Sequence, residues 1–242
     1  MKLKVCWLYP GIMDLYGDSG NIMVLEKRCK LRNIDIEICK VDINEKCDIS
    51  EYDLLFLGGG ADKEQSLIKE DLLNRKQDII KAKENGCFFF LICGGYQMFG
   101  EYYIDKDGKK IEGLNVYDYY SIAASGKTRC IGNVIIKSIL DDEEVEVIGF
   151  ENHGGQTLGV QSPFGKVVKG YGNSVEADIE GYMDDKCIAT YLHGPLLPKN
   201  PKIADYIIRK ALFRNYGDVS LCQLDDNYAN KAIEEVKRKI NA

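Results

Sequence analysis

The stretch Cys87-Phe-Phe-Phe-Leu-Ile-Cys-Gly-Gly-Tyr-Gln97 is the most apolar run in the chain, and it breaks off in Cys93 and two glycines. A run that is apolar on both faces suits a central parallel strand covered by helices, because a half-buried strand alternates polar and apolar positions. The segment from Tyr96 to Glu101 is a short helix candidate, so the unit reads strand, turn, helix. Gly94 and Gly95 permit a tight turn there. Such a turn exposes the Cys93 sulfur above the sheet at a helix N-terminus, where a nucleophilic thiolate is favoured.

Outward from this unit the same alternation continues. Residues 2–9 read as a first strand, and Tyr16-Gly-Asp-Ser-Gly-Asn21 as a turn whose Asp18 or Ser19 caps a helix to about Arg32, with Ile22, Leu25 and Cys29 on one face. Residues 34–41 alternate as a half-buried strand does. Leu54-Leu-Phe-Leu57 ends in Gly58-Gly-Gly60, and helical spacing at Leu72, Ile79, Ile80 and Ala82 runs to Asn85, where Gly86 closes the helix. Further strands are expected at 131–137, 145–150 and 187–192. Pro201 opens a helix to about Asn215 with Ile203, Ile207 and Ala211 on one face.

The expected fold class is therefore α/β: a doubly wound, mostly parallel sheet with helices on both faces and a strand-rich insertion in the second half, between about 102 and 192. One domain, 1–242, is expected, with a core over about 2–215. A C-terminal helical extension over 226–242 should pack on it through Tyr228, Ala232, Val236 and Ile240. Ligands in such sheets bind beyond the carboxyl ends of strands, which is where both glycine turns fall.

A chain of 242 residues buries roughly 70% or more of its unfolded surface and needs no disulfide framework. Its nine cysteines are odd in number and include no CxxC pair, which excludes a zinc ribbon and points to a reducing cytoplasm. No apolar run approaches the ~18 residues of a membrane span. A net charge of -6, from 32 basic and 38 acidic residues, argues against a nucleic-acid surface.

A thiolate nucleophile needs a base, and the chain has two histidines, His153 and His193. His193 follows an apolar strand and precedes Gly194-Pro195, which puts it on the same rim as Cys93; it is the preferred base. His153, in Phe150-Glu-Asn-His-Gly-Gly155, is a loop residue that contacts substrate or a satisfied surface imidazole. As a phosphate loop Gly58-Gly-Gly60 lacks the Lys and Ser/Thr. The N–H groups of Gly59 and Gly60, with that of Gly94, suit an oxyanion instead. Together these parts describe acyl transfer through a thioester.

Leu91-Ile-Cys-Gly-Gly-Tyr-Gln97 with Tyr191-Leu-His-Gly-Pro-Leu-Leu-Pro-Lys-Asn-Pro201 resembles cobyric-acid-synthase-like class I glutamine amidotransferase domains. Tyr9-Pro10, the 16–21 turn, Gly149-Phe-Glu-Asn-His-Gly-Gly155 and Arg129 in Thr128-Arg-Cys-Ile-Gly132 are more specifically similar to the glutaminase subunits of lipid II isoglutaminyl synthases. The resemblance implies Cys93 as nucleophile, His193 as base and Arg129 as an arginine that holds the carboxylate of L-glutamine. It implies no metal or cofactor in this chain. ATP and Mg would belong to a Mur-ligase-like synthetase subunit that amidates a lipid-linked precursor.

Two positions depart from the family pattern. Leu91 stands where many members have glycine, and Pro195 stands where they have the glutamate that completes a triad. The acid then comes from elsewhere, with Glu151 as a candidate, or Cys93 and His193 act as a dyad. Rival readings are a subunit for a cobyric-acid-type acceptor and a non-catalytic binding subunit of the same fold.

Overall fold

The computed structural model describes residues 1–124 and 129–241. Thr128 of the arginine motif and Ala242 of the expected extension lie outside the described residues, as does the side chain of Ile240. In chain order the first half comprises β1 (Lys2–Leu8), α1 (Ser19–Leu31), β2 (Asp35–Val41), β3 (Leu54–Leu57), α2 (Asp62–Asn74), α3 (Lys76–Glu84), β4 (Phe88–Ile92) and α4 (Gly94–Phe99). Nine short or paired strands follow: β5 (Tyr102–Ile104), β6 (Lys110–Glu112), β7 (Tyr120–Ala123), β8 (Cys130–Leu140), β9 (Glu143–His153), β10 (Gly155–Leu158), β11 (Gly165–Lys169), β12 (Ile179–Glu180) and β13 (Tyr182–Asp184). The chain closes with β14 (Cys187–Thr190), α5 (Pro201–Tyr216) and α6 (Asn227–Asn241).

The central sheet has the order β13-β14-β4-β3-β1-β2, parallel throughout except for the β13–β14 edge. From the β1/β3 boundary the two crossovers run in opposite directions. Right-handed connections therefore put α1 on one face and α2 and α3 on the other, and leave a crevice at the carboxyl ends of β1 and β3. Every residue of β3, β4 and β14 is buried, as an apolar run covered on both faces must be, whereas edge strand β2 is mostly part-exposed. α5 packs on α1, β1 and β4; α4 packs on β4, β14 and α2.

The strand-rich insertion forms two four-stranded sheets, β10-β7-β5-β6 and β12-β11-β8-β9. The β8–β9 hairpin pairs from Cys130↔His153 to Leu140↔Glu143, and Asp141 and Asp142 turn it with positive φ of 47° and 68°. Two such residues define the type I′ turn that suits a twisted hairpin.

Two expectations shift. The single helix read up to Asn85 is broken at Arg75 into α2 and α3, and Arg75 bonds Asp71 and the carbonyls of Asp42 and Glu45. α6 does pack on this chain, but through Ile233 and Val236 against Ile135 and Ile148; Tyr228 is 87% exposed. Val236 packs as expected, whereas Tyr228 and Ala232 are exposed and Ile233 takes their place. Arg28 anchors the segment before α6 by pairing with Asp205 at 2.6 Å and Asp226 at 2.7 Å. Among the described residues no helix is long and apolar enough to cross a membrane.

Candidate active site

Four parallel strands end on one rim, and each delivers a part of the site. β4 delivers Cys93, which caps α4 with φ 48° and ψ -100°, a strained conformation for any residue but glycine. The turn is locked by Cys93 N–H donating to Thr190 O at 2.8 Å and by Gln97 N–H donating to Cys93 O at 3.0 Å. Gly95 is required for close approach, since a Cβ there would lie 2.7 Å from Leu57 O. This is the strand-to-helix elbow that raises a nucleophile above its sheet. Leu91, fully buried, occupies the position of the family glycine without disturbing it.

β14 delivers His193. Its backbone is held by two bonds to β9, His193 N–H to Phe150 O at 2.7 Å and Phe150 N–H to His193 O at 3.3 Å. Gly149 permits the approach, because a Cβ there would sit 2.6 Å from Leu192 Cβ. Behind the strand, buried Glu180 accepts from Tyr191 N–H at 2.7 Å and Thr190 Oγ1 at 2.9 Å. Burial pushes Glu180 up to about 8 against those bonds.

The loop after β1 delivers Asp18. Its fully buried carboxylate lies 3.4 Å from His193 Nδ1 and accepts Gly59 N–H at 2.7 Å. The first contact is long for a hydrogen bond, as catalytic contacts often are before substrate binds. Burial opposes a charge on His193, but Cys93 and Asp18 outweigh it and hold the imidazole up at about 10. His193 Nε2 has no hydrogen-bond partner among the described residues and is the nitrogen left for Cys93.

Asp18 therefore fills the position for which Glu151 was a candidate. Glu151 is turned away: it accepts Tyr171 N–H at 2.8 Å and Gly172 N–H at 3.0 Å, and lies 3.6 Å from His153. Asp18 does sit at the helix N-cap, yet its side chain makes no cap bond. The signal that could have found it was its place beyond the carboxyl end of β1, on the rim shared by Cys93 and His193.

The glycine turn also changes in detail. Gly59 N–H is taken by Asp18, so it is not a free oxyanion donor. Gly59 is instead a spacer, since a Cβ there would meet His193 Cε1 at 2.8 Å and Cys93 Cβ at 3.3 Å. Gly60 and Gly94 remain as candidate donors. Their backbones abut, a Cβ on Gly94 lying 2.9 Å from Gly60 N, and as the first residue of α4 Gly94 has no intrahelical acceptor.

Cys93, 5% exposed, opens into a cavity of about 690 Å³ whose walls include Tyr16, Arg129, Asn152 and His153. Arg129 is exposed and braced by Asn152, donating to its Oδ1 at 3.0 Å, and Asn152 donates to Tyr16 Oη at 2.6 Å. Tyr16 stands edge-on to the His193 ring at 5.2 Å. His153 is buried, not a surface imidazole: its Nδ1 bonds Gly155 O at 2.6 Å, and its ring stacks on Tyr191 at 3.7 Å. Among the described residues no group of His, Cys, Asp or Glu is arranged to hold a metal ion.

An elbow cysteine with a histidine on a neighbouring strand end is the arrangement of a glutamine amidotransferase, and the sequence comparisons agree. The family model for CobB/CobQ-like glutamine amidotransferase domains matches residues 4–201, and the chain belongs to that family. Within it, the chain is 41% identical over 202 residues to subunit GatD of the glutamine-hydrolysing lipid II isoglutaminyl synthase of Staphylococcus aureus (strain N315), covering 84% of this chain and 81% of that one. It is 35% identical over 237 residues to the GatD subunit of Streptococcus pneumoniae (strain ATCC BAA-255 / R6), covering 97% and 90%. A probable cobyric acid synthase of Methanocaldococcus jannaschii is 30% identical over 208 residues, which are 80% of this chain but 41% of that protein. The glutaminase domain of Trypanosoma brucei CTPS shares the fold, with a TM-score of 0.50 at 11% identity, over 91% of this chain and 98% of that one.

Proposed function

We propose that the chain is the glutaminase subunit of a two-chain amidotransferase. It hydrolyses L-glutamine to glutamate and ammonia, and the ammonia passes to a Mur-ligase-like synthetase that amidates the α-carboxylate of D-glutamate in the lipid II stem peptide. The single observation that carries the chemistry is Cys93 on its strained elbow with His193 and Asp18 in line behind it, at the floor of the Arg129 cavity. The acceptor and the partner rest on the likeness to the two GatD subunits, which this chain matches over most of both lengths. The cobyric acid rival is weaker on the same measure.

In this reading Arg129 pairs with the substrate α-carboxylate and Asn152 steadies its guanidinium. The Cys93 thiolate attacks the side-chain carboxamide carbon, and the N–H groups of Gly60 and Gly94 receive the oxyanion. Collapse breaks the C–N bond while the His193 imidazolium gives its proton to the departing ammonia. His193, neutral after that step, takes a proton from water, which attacks the thioester and releases glutamate. Asp18 keeps the tautomer that aims Nε2 at the sulfur. ATP and Mg act in the synthetase.

Glutamate release is measured with the purified chain alone, then with a Mur-ligase-like protein, ATP, Mg and lipid II. Release coupled to amidation of the stem peptide supports the whole reading. Release without amidation keeps the glutaminase and discards the acceptor, and no release in either mixture discards both in favour of a binding subunit.

A further inference from the structure

Tyr16 lines the Cys93 cavity without a part in the chemistry, and its backbone is strained. It has φ 61°, in the left-handed region that bulky residues avoid, and Gly17 follows it with φ 78°. The cause is a pair of staples on one residue. Leu15 N–H donates to Gly59 O at 3.0 Å and Gly59 N–H donates to the Asp18 carboxylate at 2.7 Å, so the two residues between are bent into a tight bulge. Glycine would meet that bend without strain. The tyrosine is 44% exposed, so burial does not account for it either. Strain held at the wall of a cleft points to a role in the cleft.

Two contacts say what the side chain does. Its ring stands edge-on to His193, with centroids 5.2 Å apart and planes at 80°. Its hydroxyl meets Asn152, and elimination fixes the direction of that bond. A guanidinium only donates, so Arg129 Nη2 must face Asn152 Oδ1, at 3.0 Å. The amide then turns Nδ2 toward Tyr16 Oη, at 2.6 Å, and the tyrosine accepts. Its own O–H proton is left to donate elsewhere, on the cavity wall that also carries Arg129.

We propose that Tyr16 is a second carboxylate-recognising residue: its hydroxyl proton bonds the α-carboxylate of L-glutamine, its oxygen sets the Arg129 guanidinium through Asn152, and its ring shields the edge of His193 from water. This role rests on the glutaminase reading, which supplies the substrate. A carboxylate offers two oxygens, one for the guanidinium and one for the hydroxyl. A carboxamide in its place takes the charge out of both bonds. Tyr16 comes from the loop after β1, Asn152 from the end of β9 and Arg129 from the residue before β8, so the substrate carboxylate ties the two sides of the cleft together.

L-Glutamine binding is measured by calorimetry on Cys93→Ala, with and without Tyr16→Phe, so that no turnover intervenes. Phenylalanine keeps the ring and removes the hydroxyl, and Kd should rise about tenfold, the loss expected of one hydrogen bond to a charged group. An unchanged Kd overturns the role, as does a Cys93→Ala chain that binds no glutamine. Tenfold weaker binding, in a chain whose Cys93 parent never hydrolyses glutamine, upholds the contact and discards the glutaminase reading. Kinetics on the Cys93 chain separate ring from hydroxyl. Tyr16→Phe should raise KM for L-glutamine about tenfold with kcat within about threefold, and KM for L-glutaminamide, which has no carboxylate, by at most about threefold. Equal rises for both substrates overturn the carboxylate contact. Tyr16→Ala should further lower kcat about tenfold as His193 loses its cover, and a kcat equal to that of Tyr16→Phe overturns the shielding. In an Arg129→Ala background Tyr16→Phe should add less than about threefold to KM, because the two act on one carboxylate; a full second factor of ten overturns their coupling.

Discussion

His193 with Asp18 and His153 with Glu151 are two buried imidazole–carboxylate pairs, at 3.4 and 3.6 Å, on segments that touch. Their ring nitrogens are spent differently. His153 commits Nδ1 to Gly155 O, faces Glu151 with Nε2, and stacks its ring flat on Tyr191. His193 commits Nδ1 to Asp18 and leaves Nε2 open beside the elbow cysteine. On the proposed assignment, what separates the base from the other histidine is a second ring nitrogen that is free of backbone and stands beside the cysteine.

The comparison breaks most completely at the nucleophile. Cys93→Ala and His193→Ala should each lower kcat for glutamine hydrolysis by about 10,000-fold, with the double variant no worse, since residues that act as a unit are not additive. Ammonia-driven amidation by the complex should survive both. Full glutamine-driven activity in either variant would refute the pairing of Cys93 with His193.

Next in size, Asp18→Asn should lower kcat by about 100-fold with KM little changed, because it removes the charge that supports the imidazolium and leaves Gly59 N–H its acceptor. Glu151→Gln should leave kcat within about threefold, as Glu151 serves the backbone of Tyr171 and Gly172. If the two variants behaved alike, the distinction between the pairs would collapse.

The pH response sharpens the same contrast. His193 titrates near 10, above its ordinary value, so its contribution to folding stability is fully present below about 6.5 and is lost as pH rises through about 10. Glutamine hydrolysis should fall over that alkaline range, where the acid for ammonia departure is lost. With two histidines in the chain, NMR can follow each ring, and Cys93→Ala should move the His193 titration downward by removing a group that raises it. An unmoved midpoint would mean that the sulfur and the ring do not interact.

His153→Gln carries the smallest catalytic effect: kcat within about threefold, with a loss of roughly 1–3 kcal/mol in denaturant unfolding as the Tyr191 stack and the Gly155 bond go. A large kcat loss with unchanged stability would return His153 to the chemistry.

How much of this was legible follows from how local each signal is. The 87–97 stretch announced a buried strand and an elbow because its message lies in adjacent residues, and His193 stood out because histidine is scarce here. Asp18 was hidden because its partner is 175 positions away and a helix cap already explained it. Gly59 was read as a donor because nothing local shows that a distant carboxylate takes its N–H. In α6 the amphipathic spacing was visible, but which stripe faces inward depends on Ile135 and Ile148.

The backbone at Cys93 has a consequence for the history of such domains. Its φ of 48° imposes strain of roughly 1–3 kcal/mol in every folded copy, occupied or empty. Glycine would relax it. Folding alone thus favours losing the sulfur, and only turnover retains it, so a lineage released from its reaction drifts toward inert, sturdier descendants with the sheet intact.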